Sequence, residues 1–406
     1  MKVEEILFEE VSEKNKQTLE QLRENLKSDE WAFCLGAGIS ISAGLPNWYG
    51  LLAKLTAQIL EVEANKEFWA EGKKENKNNI AYYKGVGQVY ETLPSGEQGK
   101  KFWEKKGKAL NGDYSYVFSN INVLEAAEYI KNFVEESVAN TRDESLMKSE
   151  SMKNRIDWYM NQLIRETCRT DTKVGDIKES TLGAVARLMN SKLQIHNAIT
   201  YNYDNLLETY LREVCKCNTV NSIVKEDELR DFGNKDERNV YHVHGRIPVI
   251  DYPGEEMSDN VILTESDYYR EEQVNYSWTN IIQSYVIARC NLIFVGFSGT
   301  DYNFRRIIKY VKQDKMKPHS RYIFFAVDDI VKAVFQKELE GLTEGEKDTR
   351  LRECIKAMNA KESGYVYERL LINHLIHAQS LYWENHGLTV IWTSLQELPE
   401  QLDNLY

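Results

Sequence analysis

Two short segments place polar side chains that could bind a ligand and move a proton at the ends of apolar runs. Asn202 and Asp204 follow one run closely, and His242 and His244 alternate along another. In open α/β sheets, ligands bind outside the carboxyl ends of the strands. Alternate residues of a strand share one face, so both histidines could line a pocket, and an imidazole titrates near neutral pH. The alternatives are an Asx turn that caps the next helix, for Asn202 and Asp204, and a hydrogen-bonded core position, for each histidine.

A glycine-rich turn follows the first apolar run, Trp31–Leu35. Its Gly36-Ala37-Gly38 segment lets the backbone turn sharply and lets a phosphate approach the amide N–H groups, while the start of the next helix adds partial positive charge. The third glycine of a dinucleotide fingerprint is replaced by Ile41, and the sequence has no P-loop lysine motif. The turn therefore predicts either an anion site or a tight strand-to-helix connection without a ligand.

Six apolar runs of strand length must position these residues, and most of them lead through a loop into a helical pattern. They are Trp31–Leu35, Ala198–Tyr201, Val240–Val243, Leu292–Val295, Tyr322–Val327 and Leu388–Trp392. This order is typical of a parallel sheet that is covered on both faces. We therefore predict an α/β fold with a Rossmann-like, doubly wound parallel sheet.

Helical spacing predicts elements that cover this sheet. Residues 4–29 form an amphipathic pattern. A second helix with one buried face is predicted by apolar residues at helical spacing, and Thr264 with Asp267 is expected to cap its start. The apolar residues of this second pattern are Trp278, Ile281, Ile282, Tyr285 and Val286.

A long stretch with helical periodicity separates the first strand from the second. No proline occurs from Ser95 to Ile247, and apolar positions at helical spacing continue from Leu51 to about Asn190. We predict residues 1–50 to hold the N-terminal helix, first strand and glycine turn, 51–190 a helical insertion, and 191–406 the remainder of the Rossmann-like domain. The insertion carries aromatic candidates for subunit contacts, or for core positions: Trp69, Tyr82, Tyr83 and Trp103.

Composition excludes several classes of protein. The 406 residues are 42% hydrophobic and 28% charged, as in globular proteins, and a net charge of −12 argues against binding nucleic acid or membrane surfaces through net charge. No apolar run approaches the roughly 20 residues of a membrane span, and the start lacks a signal-peptide pattern, so a cytoplasmic protein is expected. The 6 cysteines are scattered, so neither a disulfide framework nor a structural zinc site is expected.

Four motifs, taken in order, resemble those of the sirtuin family. Gly-Ala-Gly-Ile-Ser at 36–40, followed by Gly-Leu-Pro-Asn-Trp at 44–48, is similar to the family's cofactor loop. The segment at 200–204 is similar to its Thr-Gln-Asn-Ile-Asp motif, His244 with Gly245 matches its His-Gly pair, and Gly-Phe-Ser at 296–298 is similar to its Gly-Thr-Ser turn. The tryptophan of the first motif and the Gly-Phe-Ser turn resemble the bacterial sirtuin-like branch found in phage-defence proteins.

The resemblance implies an NAD-binding site and gives roles to individual residues. Asn202 would lie beside the nicotinamide ribose, Asp204 would contact the carboxamide, and His244 would be the general base, with His242 as a structural neighbour. Asp301, in the last motif, is equally an N-cap candidate. The remaining cofactor contacts would be Gly36, Ala37, Gly38, Ser40, Pro46, Trp48, Gly296, Ser298 and Asp328, the last of them at the adenine or its ribose.

Departures from the deacylating sirtuins point to hydrolysis. Those enzymes carry a zinc ribbon of two cysteine pairs after the His-Gly pair, and here no cysteine lies between Gly245 and Cys290. Without an acyl-lysine, water is the remaining nucleophile; Asn202 would position it and His244 would take its proton. The expected reaction converts the substrate NAD+ to nicotinamide and ADP-ribose without a metal. The alternatives are a sirtuin-like ADP-ribosyltransferase or deacylase, and a non-catalytic NAD-binding regulator.

The resemblance also implies a biological setting. Sirtuin-like effectors of phage defence deplete NAD in infected bacteria, and large homo-oligomers are common among them. A free-standing subunit of this size is similar to those paired with a HerA-type hexameric ATPase, and less so to those paired with short Argonautes. We therefore expect an antiphage effector that assembles into a homo-oligomer and is regulated by a separate ATPase.

Overall fold

A parallel sheet of seven strands organises the described part of the chain in this computed structural model. The strand order is β3-β4-β2-β1-β5-β6-β7, and every pairing is parallel. Each of the six predicted apolar runs contributes a strand, so the prediction of an α/β, Rossmann-like sheet is confirmed. The strands are β1 (Trp31–Leu35), β2 (Ile195–Thr200), β3 (Val220–Ile223), β4 (Arg238–His242), β5 (Asn291–Val295), β6 (Arg321–Ala326) and β7 (Thr389–Thr393).

The structure describes most of the chain outside the predicted insertion. The described ranges are 2–27, 30–52, 122–139, 174–193, 195–230, 234–258, 261–273, 277–297, 319–360 and 363–406, together with 55, 161, 164, 165, 301, 304–306, 308 and 309. The limits of the insertion therefore stay a prediction. Its four aromatic candidates, Trp69, Tyr82, Tyr83 and Trp103, lie outside the described residues.

Strand β1 lies inside the sheet, between β2 and β5. Its last residue, Leu35, is in register with Thr200 of β2 and with Val295 of β5, and Thr200 is in register with His242 of β4. The loops that follow these four strands therefore leave the sheet at one edge. Strands β2 to β4 lie on one side of β1, and β5 to β7 lie on the other. The strand order therefore reverses at β1, and open α/β sheets bind ligands at the carboxyl edge beside such a reversal.

Helices cover both faces of the sheet. They are α1 (Glu9–Asn25), α2 (Ala37–Ile41), α3 (Val123–Ala139), α4 (Thr181–Met189), α5 (Leu206–Glu213), α6 (Glu265–Gln273), α7 (Trp278–Arg289), α8 (Asp328–Val334), α9 (Gln336–Leu339), α10 (Glu344–Asn359), α11 (Val366–Glu384) and α12 (Leu398–Asp403). No described helix is both long and apolar enough to cross a membrane.

The alternation of side chains along β1 shows why both faces need a cover. Trp31, Phe33 and Leu35 pack into one hydrophobic cluster, with α1, α4, α5 and α12. Ala32 and Cys34 pack into another, with α7, α8, α10 and α11. All five side chains are buried, because successive residues of a strand point to opposite faces. The sheet is therefore doubly wound, as predicted.

Strand β3 was absent from the predicted set. Its sequence, Val-Asn-Ser-Ile, has no apolar run, and only Ile223 is buried. The strand lies at the end of the sheet and pairs only with β4 among the described strands. An edge strand needs less apolar surface than an inner one, so its sequence gives little signal.

The prediction for the second helix was partly wrong. Thr264 and Asp267 cap α6, a separate helix, because the N–H of Thr264 and its hydroxyl both donate to Asp267 Oδ2. Helix α7 is capped instead by Ser277, whose Oγ accepts from the N–H of Asn280. Its buried face is also narrower than predicted, since Ile281 and Tyr285 are 49% and 45% exposed.

Candidate functional site

The glycine turn after β1 is built by direct contact with the turn after β5. The N–H of Gly36 donates to Val295 O at 3.1 Å, and that of Gly38 donates to Gly296 O at 2.9 Å. A Cβ atom on Gly36 would lie 2.5 Å from Gly296 O, and one on Gly38 would lie 2.7 Å from Gly296 Cα. Gly296 itself has a φ of +65°. These three positions therefore need glycine so that two backbones can touch, whether or not a ligand approaches.

Asn202 is fastened to this turn by its side-chain amide. Its Nδ2 donates to Gly36 O at 3.0 Å and to Ser40 Oγ at 2.9 Å, and the residue is 7% exposed. Both amide protons are used, and Oδ1 accepts no hydrogen bond from the described residues. The carbonyl end of the amide is therefore the free end, and its direction is set by the turn.

Asp204 combines the two roles that its position in the sequence left open. Its Oδ1 accepts from the N–H of Leu206 at 3.1 Å, the Asx-type cap at the start of α5. Its Oδ2 accepts from Ser40 Oγ at 2.7 Å. Burial raises the pKa of Asp204, although these two hydrogen bonds oppose the rise. Ser40, in α2, thus joins Asn202 and Asp204 in one chain of hydrogen bonds between the segments that follow β1 and β2.

A pocket opens beside this chain of hydrogen bonds. The space inside it that water-sized molecules can reach is about 60 Å³. Six of the predicted site residues line it, namely Ala37, Ser40, Pro46, Trp48, Asn202 and Asp204. The other lining residues are Leu45, Asn47, Leu51, Ile164, Tyr201, Tyr203, Ile247 and Val249. Most of the wall is apolar or aromatic, with polar groups gathered where Ser40, Asn202 and Asp204 meet, which is the usual make-up of a site for a small organic ligand.

His242 contacts the backbone of Asn202. It is fully buried, its Nδ1 lies 3.2 Å from Asn202 O, and its Nε2 pairs with Glu208 Oε1, which also accepts from Ser222 Oγ at 2.6 Å. Burial opposes ionisation of Glu208, but His242 and Ser222 hold the pKa of its carboxyl well below the usual range. His242 thus links the backbone of Asn202 to the carboxylate of Glu208.

His244 lies next to the pocket and is absent from its lining. The imidazole is 3% exposed, and its ring centroid is 5.1 Å from that of Tyr201, which does line the pocket. Burial lowers the pKa of His244, while Asp301 and Glu271 oppose this. Its Nε2 is buried without a hydrogen-bond partner in the described part of the chain. The structure thus provides a neutral imidazole with an unused nitrogen, one aromatic ring away from the pocket.

The remaining predicted cofactor contacts are spread more widely. Gly36, Gly38 and Gly296 form the base of the turn, as described above. Ser298 lies outside the described residues. Asp328 is at the start of α8, where its Oδ2 accepts from the N–H of Leu395 at 2.8 Å, and it is not among the residues that line the pocket.

Comparison with known proteins agrees with this arrangement. The SIR2-like domain family matches residues 196–344. That span contains Asn202, Asp204, His244 and Gly296. This part of the chain is therefore similar to a SIR2-like domain. The resemblance to sirtuins inferred from the motifs is therefore confirmed here, while the glycine turn at 36–38 joins the domain through its contacts with Gly296 and Asn202.

Two curated relatives match a similar length of chain. Defense-associated sirtuin 2 of Bacillus subtilis is 28% identical over 134 residues, which are 32% of this chain and 12% of the relative. NAD(+) hydrolase ThsA of Enterococcus faecium is 30% identical over 134 residues, which are 32% of this chain and 26% of the relative. The matched segment thus spans only a small part of either relative.

Several side chains within residues 196–344 were missed as site residues by sequence reasoning. Tyr201 and Tyr203 line the pocket, Glu208 holds His242, and Asp301 lies 3.4 Å from His244. The two tyrosines flank Asn202 in the sequence, so the signal for them was present. Glu208 lies in an ordinary helical segment, and the neighbouring sequence contains no pattern that predicts a buried carboxylate.

Among the described residues, no three histidine, cysteine or acidic side chains lie close enough together to form a metal-binding group. The described cysteines are all free thiols: Cys34, Cys215, Cys217, Cys290 and Cys354.

Proposed function

We propose that this chain is an NAD+ hydrolase that cleaves the bond between nicotinamide and ribose with water as the nucleophile. The observation that carries the proposal is the pocket wall at which Ser40, Asn202 and Asp204 are joined by hydrogen bonds of 2.7 and 2.9 Å. The match of residues 196–344 to the SIR2-like domain family supports NAD as the ligand.

The pocket suits the nicotinamide end of NAD+. Trp48 and Tyr203 form an edge-on aromatic pair with ring centroids 6.4 Å apart, and both line the pocket. A flat, cationic pyridinium ring is attracted to aromatic faces. The Asp204 carboxylate has acceptor capacity left beyond its two hydrogen bonds and would receive the N–H of the carboxamide.

Asn202 would act on the ribose and on the attacking water. Its amide oxygen is directed from the turn and accepts no hydrogen bond from the described residues, so it can accept one from a water molecule or a ribose hydroxyl. Because its amide protons are held by Gly36 O and Ser40 Oγ, the group is already oriented before the ligand arrives. Pre-orientation of this kind lowers the entropic cost of reaching the transition state.

His244 would act as the general base. Burial lowers its pKa, so the imidazole is available as a proton acceptor at neutral pH. The proton would move from the attacking water, directly or through a ribose hydroxyl, to Nε2. The water oxygen would form the new bond to the anomeric carbon as nicotinamide leaves with the electron pair of the broken bond.

The names of the two relatives support a role in defence. One is a defense-associated sirtuin and the other an NAD(+) hydrolase. We propose that this chain depletes NAD+ in infected cells, as a homo-oligomer regulated by a separate HerA-type ATPase. The oligomer and the ATPase are proposals that rest on the resemblance of the motifs alone.

Product analysis tests this function. Purified chain, alone and together with the product of the neighbouring gene, is incubated with NAD+, and the products are separated by chromatography and mass spectrometry. Equal amounts of free nicotinamide and free ADP-ribose, with unmodified protein, are expected. ADP-ribose attached to protein would instead identify a transferase, nicotinamide release that depends on an acetyl-lysine peptide would identify a deacylase, and NAD+ binding without turnover a regulator.

A further inference from the structure

A largely buried carboxylate, that of Asp301, faces the proposed base. Asp301 Oδ2 lies 3.4 Å from His244 Nε2, and the two side chains are 12% and 4% exposed. The phenol of Tyr268 donates to the same Oδ2 at 2.6 Å, and the N–H of Phe304 donates to Oδ1 at 2.8 Å. The carboxylate is thus fixed by α6 on one side and by its own loop on the other.

The imidazole is enclosed by the same group of side chains. The rings of Tyr201 and Tyr268 pack edge-on against His244, with centroids 5.1 and 5.5 Å away. The charges that act on it are the carboxylates of Asp301 and Glu271, both of which raise the pKa of His244 against the stronger effect of burial.

Proton transfer changes the charge of this enclosed space. When Nε2 takes a proton, His244 becomes an imidazolium ion away from water, and a buried ion without a partner is strongly disfavoured. Asp301 is the nearer of the two carboxylates and faces the nitrogen that gains the proton. An opposite charge within about 4–6 Å favours the charged form of a titratable group.

We propose that Asp301 is the positioning residue of His244: its carboxylate, 3.4 Å from Nε2, stabilises the imidazolium formed when His244 takes the proton of the attacking nucleophile. The proton stays on His244, so no further reactant is needed. This inference rests on the proposed function and adds a partner to its base.

A purely structural role is the competing explanation, because Asp301 also accepts from Phe304 N and Tyr268 OH. Asp301→Asn separates the two. Asparagine caps a helix start as well as aspartate does, and its oxygen can still accept one of these hydrogen bonds, while the negative charge beside His244 is lost.

The test measures two quantities in parallel. NMR of protein carrying labelled histidine follows the titration of His244, assigned by its loss in His244→Ala, and NAD+ cleavage gives kcat and KM across pH. In Asp301→Asn we expect the pKa of His244 to fall, kcat to fall by about 10- to 100-fold with KM less affected, and the acid limb of the pH profile to move to lower pH. Asp301→Glu, which restores the charge, should recover part of kcat.

Glu271→Gln is the matched control, because this carboxylate influences His244 from a greater distance; its effect on the pKa should be smaller in the same direction. In the His244→Ala background, Asp301→Asn should cause no further loss of kcat. An unchanged His244 titration in folded Asp301→Asn would overturn the pairing. If the titration shifts as expected but the wild-type chain leaves NAD+ intact, the pairing stands and the proposed hydrolase function fails.

Discussion

Replacing Gly296 by alanine tests the contact on which the site is built. The residue has a φ of +65°, and an added Cβ would lie 2.5 Å from Ile39 N and 2.9 Å from Gly38 C. The left-handed conformation costs alanine roughly 1–2 kcal/mol, and forcing a methyl group into packed backbone adds typically about 1–3 kcal/mol. We therefore expect Gly296→Ala to lower the free energy of unfolding by about 2–5 kcal/mol.

Gly254 provides the matched control. Its φ is +81°, and an added Cβ would meet nothing within 4 Å, so Gly254→Ala carries only the conformational cost, roughly 1–2 kcal/mol. Urea unfolding followed by tryptophan fluorescence compares the two variants, and NAD+ cleavage is measured on the same samples. Activity should fall in Gly296→Ala alone, because Gly36 O holds the amide of Asn202. Equal unfolding free energies for the two variants would refute the backbone contact.

Three further predictions concern the polar groups around the pocket. Ser40→Ala removes a donor to Asp204 and an acceptor for Asn202, so it should cost about 1–3 kcal/mol in urea unfolding and reduce NAD+ cleavage; unchanged kcat would contradict the proposed orientation of Asn202. Burial raises the pKa of Asp204 above its unfolded value, so ionising this carboxyl group destabilises the fold. The stability of the wild type relative to Asp204→Asn should therefore fall as pH rises from the ordinary carboxyl range through the raised pKa. A stability difference that is independent of pH would contradict this. His242→Ala leaves Glu208 buried without its partner and should cost about 3–5 kcal/mol, whereas His242→Leu combined with Glu208→Leu should cost less than the sum of the single changes; strict additivity in a thermal or urea melt would count against the pair.

The sequence predicted the sheet well because inner strands need apolar side chains on both faces. Trp31–Leu35 and Asn291–Val295 are buried throughout, and such runs are visible without a structure. Strand β3 was missed because an edge strand made of Val-Asn-Ser-Ile carries no such run. Helix α7 was predicted with too wide a buried face, since Ile281 and Tyr285 are exposed. Apolar spacing predicts a helix, but it does not show how much of the helix surface the neighbouring elements bury.

The pocket was largely predictable because its polar residues follow strands in a recognisable order. Ser40, Asn202 and Asp204 come together as expected from the ends of β1 and β2. The glycine turn was recognised as well, yet its close contact with Gly296 could not be inferred from local spacing.

Contacts between side chains of distant segments could not be predicted from the sequence. Asp301 follows β5 and His244 follows β4, and their carboxylate and imidazole meet only because the sheet brings both loops to one edge. Glu208 reads as an ordinary helical acid, but α5 places it against His242 in the core. Such pairs depend on tertiary packing, which neither periodicity nor motif spacing records.

The most direct test of the central claim is the rate of NAD+ cleavage by Asn202→Ala compared with Asn404→Ala, in which an exposed asparagine far along the sequence is changed in the same way. Both variants should fold and retain the circular dichroism of the wild type. We expect the release of nicotinamide and ADP-ribose to fall by about 100-fold or more in Asn202→Ala and to be unchanged in Asn404→Ala. Equal rates in the two variants, at saturating NAD+, would contradict it.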